Sequence, residues 1–131
     1  MASARNAVLL DTSVLIDLLH ERKELMGLIR DLTMRGFVLA TSSVNIAELY
    51  AGMRMGEEQA TEELLLAFKC LPLTPEIARK AGAIAAARRR IGRTHSLDDM
   101  MIAATAIECG YMLLTHNRKD FEIPEIDMFP S

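Results

Sequence analysis

Hydrophobic positions along this chain change period several times, and each change marks an element. In "AVLLDTSVLIDLL" (residues 7–19) a continuous apolar run stops at Asp11, and hydrophobicity resumes after two hydroxyl residues with helical spacing. A continuous run bounded by turn formers reads as a strand covered on both faces. Residues 13–20 and 22–35 read as helices, with Gly36 in the stop position. "FVLAT" (37–41) predicts a second strand. Ser42 or Ser43 then caps a helix to about Met55, closed by Gly56, and residues 57–68 form another. "CLPL" (70–73) is a third strand. Pro75 opens an Ala-rich helix over 75–91, ending near Gly92. Ser96 begins the next, which runs to Glu108 or Cys109 with Gly110 as its stop. "YMLLT" (111–115) predicts a fourth strand and "IDMF" (126–129) a short fifth.

Strands alternating with helices predict a single α/β domain over residues 1–131, its mostly parallel central sheet built of about five short strands. In such sheets ligands bind in the crevice beyond the carboxyl ends of the strands. Asp11 stands at one such end, and the loop "HNRKD" (116–120) follows another.

Three acidic positions fit poorly with the apolar elements that carry them. In "VNIAELYAGM" (44–53) the strongly polar side chains are Asn45 and Glu48, about 60° apart on the helix surface. Either that stripe faces solvent, or a cation or hydrogen-bond network meets it, because a charge buried without partners is costly. "SLDDMMIAATAIECG" (96–110) crowds Asp98 and Asp99 into the first turn of an apolar helix. Ser96 with Asp99 is a capping box, and acids favour helix N-termini, but two adjacent acids exceed what a cap needs. "THNRKDF" (115–121) adds Asn117 and Asp120. Carboxylates gathered in one crevice repel each other unless a cation neutralises them. Oxygen ligands without Cys or His select Mg²⁺ or Mn²⁺, and such sites commonly hydrolyse phosphate esters with metal-activated water. Thr12 and Ser13 offer hydroxyls that cap the following helix and steady Asp11. Asp17 reads as an exposed helix residue.

Composition narrows this further. Half the residues are hydrophobic and a quarter charged, without low-complexity tracts, which is a globular profile. Asp11, Thr105 and Glu108 interrupt the longest apolar stretches, and the start lacks signal-peptide character, so a cytoplasmic protein with no membrane partner is expected. Cys70 and Cys109 read as reduced core thiols, and His20, His95 and His116 lack zinc-ligand spacing. A net charge of −3 argues against general nucleic-acid affinity. Yet Arg79, Lys80, Arg88, Arg89, Arg90 and Arg93 form a segment without an acid. It reads either as a solvated helix end or as a surface for RNA phosphates or an acidic partner.

Four blocks, in order and over nearly the whole chain, resemble the PIN domain, and more narrowly the VapC-type ribonuclease toxins of prokaryotic toxin–antitoxin pairs. They are "LLDTSVLIDLL" with Asp11, "IAELYAG" with Glu48, "DDMMIAATAIECG" and "LLTHNRKDF" with Asn117 and Asp120. In the third block the family's acid stands three residues before Ile-Ala-Ala, which selects Asp99. The resemblance implies a three-layer fold, an acidic pocket binding Mg²⁺ or Mn²⁺, and endonucleolytic RNA cleavage. It also implies a homodimer and a small antitoxin over the active site. On that reading Asp11 and Asp99 ligate the principal ion, and Glu48 and Asp120 hold a second or orient water. Asn117 and Thr12 support the carboxylates. The competing expectation is a degenerate PIN domain acting as a protein- or RNA-binding module, for which Tyr50, Met53 and Met55 offer an adaptable surface.

Overall fold

The computed structural model describes residues 6–130. Strands β1 (Ala7–Leu10), β2 (Val38–Ser42), β3 (Lys69–Leu71) and β4 (Met112–Leu114) form a parallel sheet in the order β3-β2-β1-β4. The continuous apolar run of β1 has its explanation in that position, because both of its faces are covered. Successive side chains point to opposite faces. Ala7 and Leu9 therefore join a core with α5 (Pro75–Arg90) and α6 (Leu97–Cys109), while Val8 and Leu10 join one with α1 (Thr12–Leu19) and α2 (Lys23–Met34). Helix α3 (Ser43–Gly52) feeds both cores, Val44 into the first and Leu49 into the second; α4 (Glu58–Leu66) packs beside α1.

Local chemistry sets the boundaries. Thr74 caps α5 by accepting the Ile77 N–H, with Pro75 at the first helical position. Gly110 ends α6 in the left-handed region at φ 72, where a side chain would be strained. The apolar α6 sequence buries Met100, Ile102, Ala103, Ala104 and Ala106, and each large side chain among them contributes about 1.5–3 kcal/mol.

The chain runs outward from β1 to β2 and β3, then returns to place β4 on the other side of β1. The strand order thus reverses between β1 and β4, and the crevice opens at their carboxyl ends. No helix among the described residues is long and apolar enough to cross a membrane.

Three expectations need correction. The segment 126–129 is not a fifth strand. It makes one parallel bridge, Leu113 with Met128, because Pro124 and Pro130 bracket it and a proline cannot extend a ladder. Helix α3 stops at Gly52, short of Met55. Met53 is extended, Arg54 N–H donates to Glu57 Oε1 at 2.9 Å, and Gly56 turns the chain at φ 89. Cys70 and Cys109 are exposed, since β3 is an edge strand and Cys109 is the last residue of α6.

Candidate active site

Asp11 follows β1 directly and continues its pairing, donating its N–H to Leu114 O at 2.9 Å. It occupies the cap position of α1, yet its side chain does not cap that helix, and Thr12 and Ser13, expected as caps, are instead the first helical residues and turn their hydroxyls to Glu48 and Asp11. Asp11 as a whole is 5% exposed. It accepts hydrogen bonds from Thr115 Oγ1 (2.7 Å), Asn45 Nδ2 (3.3 Å) and Ser13 Oγ (3.4 Å). Donors from β4's end, from α3 and from α1 thus converge on one buried acid.

Glu48 reaches the same crevice from α3. Thr12 Oγ1 donates to its Oε1 at 2.6 Å, and a hydrogen bond joins it to Asp98. Burial, the Asp98 bond and the charges of Asp98 and Asp11 push its pKa up to about 7, outweighing Thr12's opposing effect. Asp98 is held below its ordinary value, first by the bond with Glu48 and then by Ser96 and main-chain N–H groups. Of the two, Glu48 is therefore the one that holds a proton below neutrality.

Asp99 completes the group: carboxylate oxygens of Glu48, Asp98 and Asp99 lie within 4.8 Å of one another. Its pKa is raised by burial and then by the negative charges of Asp98, Asp120 and Asp11, against the Ser96 hydrogen bond. The capping interaction is also present, Ser96 Oγ accepting the Asp99 N–H at 3.3 Å. One helix start therefore serves as both cap and acid platform.

Asp120 sits exposed in a 3₁₀ turn (Arg118–Phe121), close enough for its charge to be felt at Asp99. Asn117 meets the site through its main chain: its N–H donates to Thr115 Oγ1 at 2.9 Å, and Thr115 donates onward to Asp11. Asp17 is half-buried and pairs with His116 at 2.9 Å.

The basic segment divides in two. Arg88 donates to Glu122 O (2.7 Å) and to His95 Nε2 (3.4 Å), while His95 Nδ1 lies 3.2 Å from Asp120 O. Arginine only donates, so Nε2 accepts, Nδ1 carries the proton, and the pair braces the Asp120 turn. Arg89, Arg90 and Arg93 are exposed. Beside Glu48 and Asp98 an open, largely apolar cleft of about 470 Å³ runs along Val44, Ala47, Leu73 and Met101.

Thr115 has no role in the sequence reading, which sets Asp98 aside in favour of Asp99, takes Ser42 only as a helix cap and notes Asn45 only as a polar neighbour of Glu48. Asp98 is masked by its neighbour in an acidic pair, and Thr115 looks like the last residue of a strand. The polar positions of α3, i and i+3 on an apolar helix, were the available signal.

The sequence model of the PIN domain family matches residues 8–125. Ribonuclease VapC19 of Mycobacterium tuberculosis is 34% identical over 93% of this chain and 94% of its own length. Ribonuclease VapC10 of the same organism is 42% identical over 60% of the chain, a match that spans 59% of that relative's length. A solved toxin–antitoxin complex from Klebsiella pneumoniae contains a chain 29% identical, with a TM-score of 0.70, covering 91% of this chain and 94% of that one. The chain belongs to the PIN domain family, among its VapC-type members.

Proposed function

We propose that this protein is a Mg²⁺- or Mn²⁺-dependent endoribonuclease, the toxin of a toxin–antitoxin pair acting in the cytoplasm as a homodimer. The observation that carries the reading is the meeting of Glu48, Asp98 and Asp99 beside buried Asp11, with Glu48 driven to a pKa of about 7. Acids packed so closely fit a hard divalent cation, since the donor set is all oxygen and a cation offsets both the burial and the mutual repulsion that raise Glu48 and Asp99. Asp11 and Asp99 would hold the principal ion, with Glu48 and Asp120 at a second position or directed at water, and Asp98 now joining them. A cation bound there supplies Lewis acidity to a phosphodiester.

The chain's own groups supply the rest. Thr115, Ser13 and Asn45 orient Asp11, Thr12 orients Glu48, and Glu48 is able to take or return a proton near neutrality. Asn117 steadies Thr115 from its main chain. Arg89, Arg90 and Arg93 would meet RNA phosphates or an acidic partner, while Arg88 braces the Asp120 turn. The VapC19 and VapC10 names support ribonuclease activity, and the Klebsiella complex supports an antitoxin partner.

The test is incubation of wild type and Asp99→Asn with bulk cellular RNA in Mn²⁺ and in EDTA. Cleavage that requires both Mn²⁺ and Asp99 is expected. Equal cleavage by both proteins, or none by wild type, would overturn the reading in favour of a binding module.

A further inference from the structure

Asn45, in the first turn of α3, is wholly buried, and its hydrogen bonds can be satisfied in one orientation only. Ser42 Oγ accepts the Asn45 main-chain N–H at 3.1 Å and donates its own proton to Asn45 Oδ1 at 2.5 Å. That fixes the carbonyl end of the amide toward Ser42 and turns Nδ2 to the crevice. The two Nδ2 protons go to Thr12 Oγ1 at 2.9 Å and to Asp11 Oδ1 at 3.3 Å. With that bond accepted, Thr12 directs its single proton to Glu48 Oε1 at 2.6 Å. Donation therefore runs one way, from Ser42 through Asn45 and Thr12 to Glu48, with a branch to Asp11.

The geometry points to Asn45 as a positioning residue of the acid site, one buried amide that orients Asp11 directly and Glu48 through Thr12. This deepens the proposed function and rests on it. Aspartate would reverse the donor polarity and add a charge, and leucine would match the volume while donating nothing. Groups that orient metal ligands in this way typically change metal affinity by about ten- to a hundredfold when removed.

The experiment is Mn²⁺ titration by calorimetry, at a temperature where all proteins are folded, for wild type, Asn45→Leu, Thr12→Val, the double variant and Ser42→Ala. Asn45→Leu is expected to weaken Mn²⁺ about tenfold. The double variant should be little worse than Asn45→Leu, because the two act in series. Ser42→Ala, which keeps the amide but frees it to turn, should weaken Mn²⁺ severalfold and covers the case in which Asn45→Leu does not fold. A lowered melting temperature with wild-type Mn²⁺ affinity in Asn45→Leu and Ser42→Ala would make the role merely structural and overturn the inference alone. Fully additive losses would overturn the route through Thr12. A wild type that binds no Mn²⁺ removes the proposed function and this inference together.

Discussion

Thr115 donates its hydroxyl proton to Asp11 Oδ2 over 2.7 Å, tying together the carboxyl ends of two neighbouring parallel strands. The bond crosses the point where the strand order reverses, so the sheet's topology is what brings the two residues together. Thr115 is 5% exposed and also accepts the Asn117 N–H, so the whole loop after β4 registers on it. Thr115→Val keeps the shape and removes the donor. It is expected to cost about 1–2 kcal/mol of stability and to weaken Mn²⁺ about tenfold or more. Chemical denaturation and calorimetry read the two effects separately.

The raised pKa of Glu48 has a sign that can be checked. In the unfolded chain a glutamate loses its proton near its ordinary value of 4.5, whereas in the fold Glu48 holds it to about 7. Between those values the native state binds more protons, so metal-free stability falls as pH rises through that window. Asp99, also raised, acts in the same direction; Asp98, lowered, opposes it at more acid pH. Melting of the metal-free protein should therefore decline from pH 5 to pH 8, and Glu48→Gln should flatten much of the decline. Mn²⁺ affinity should rise over the same interval, because binding must displace the proton on Glu48.

The arginines at the end of α5 should separate by function. Arg88→Ala removes the brace on the Asp120 turn and is expected to lower the melting temperature. Arg89→Ala/Arg90→Ala/Arg93→Ala leaves the exposed surface without those charges and should leave melting nearly unchanged. Its RNA binding should lose salt sensitivity, the slope of log affinity on log salt flattening by about 2. Filter binding across a salt series checks this, and an unchanged slope removes these arginines from the RNA surface.

Thr61 lies in α4, away from the acids, with its hydroxyl wholly buried and unpartnered among the described residues. Thr61→Val fills the same space without a polar atom. Stability should rise by about 1 kcal/mol, with Mn²⁺ affinity unaltered. A urea titration gives the first number and serves as a control for the site variants.

The sequence made most of the architecture legible because periodicity and punctuation agreed: apolar runs at 7–10 and 111–115, caps at Ser42 and Ser96, the helix start at Pro75, stops at Gly36 and Gly110. It overreached where a pattern lacked its partner. Residues 126–129 alternate like a strand, but prolines on both sides limit them to one bridge. Cys70 has apolar neighbours in sequence, while exposure depends on β3 being an edge, which only the strand order reveals. The acids were legible as misfits in apolar elements. The hydroxyls next to Asp11 in sequence, Thr12 and Ser13, were legible too, but Thr115 and the role of Asn45 were not, because these acquire meaning from residues 104 and 34 positions away.

The central claim is that these acids form a site held under repulsion until a divalent cation enters. Thermal unfolding of EDTA-treated wild type and Asp11→Asn, with and without Mn²⁺, tests it without knowledge of the RNA. A ligand that binds the folded state alone must raise its melting temperature. The account predicts that Mn²⁺ stabilises wild type, and that Asp11→Asn melts higher without metal but no longer responds to it. Identical melting of both proteins with and without Mn²⁺ would contradict the account.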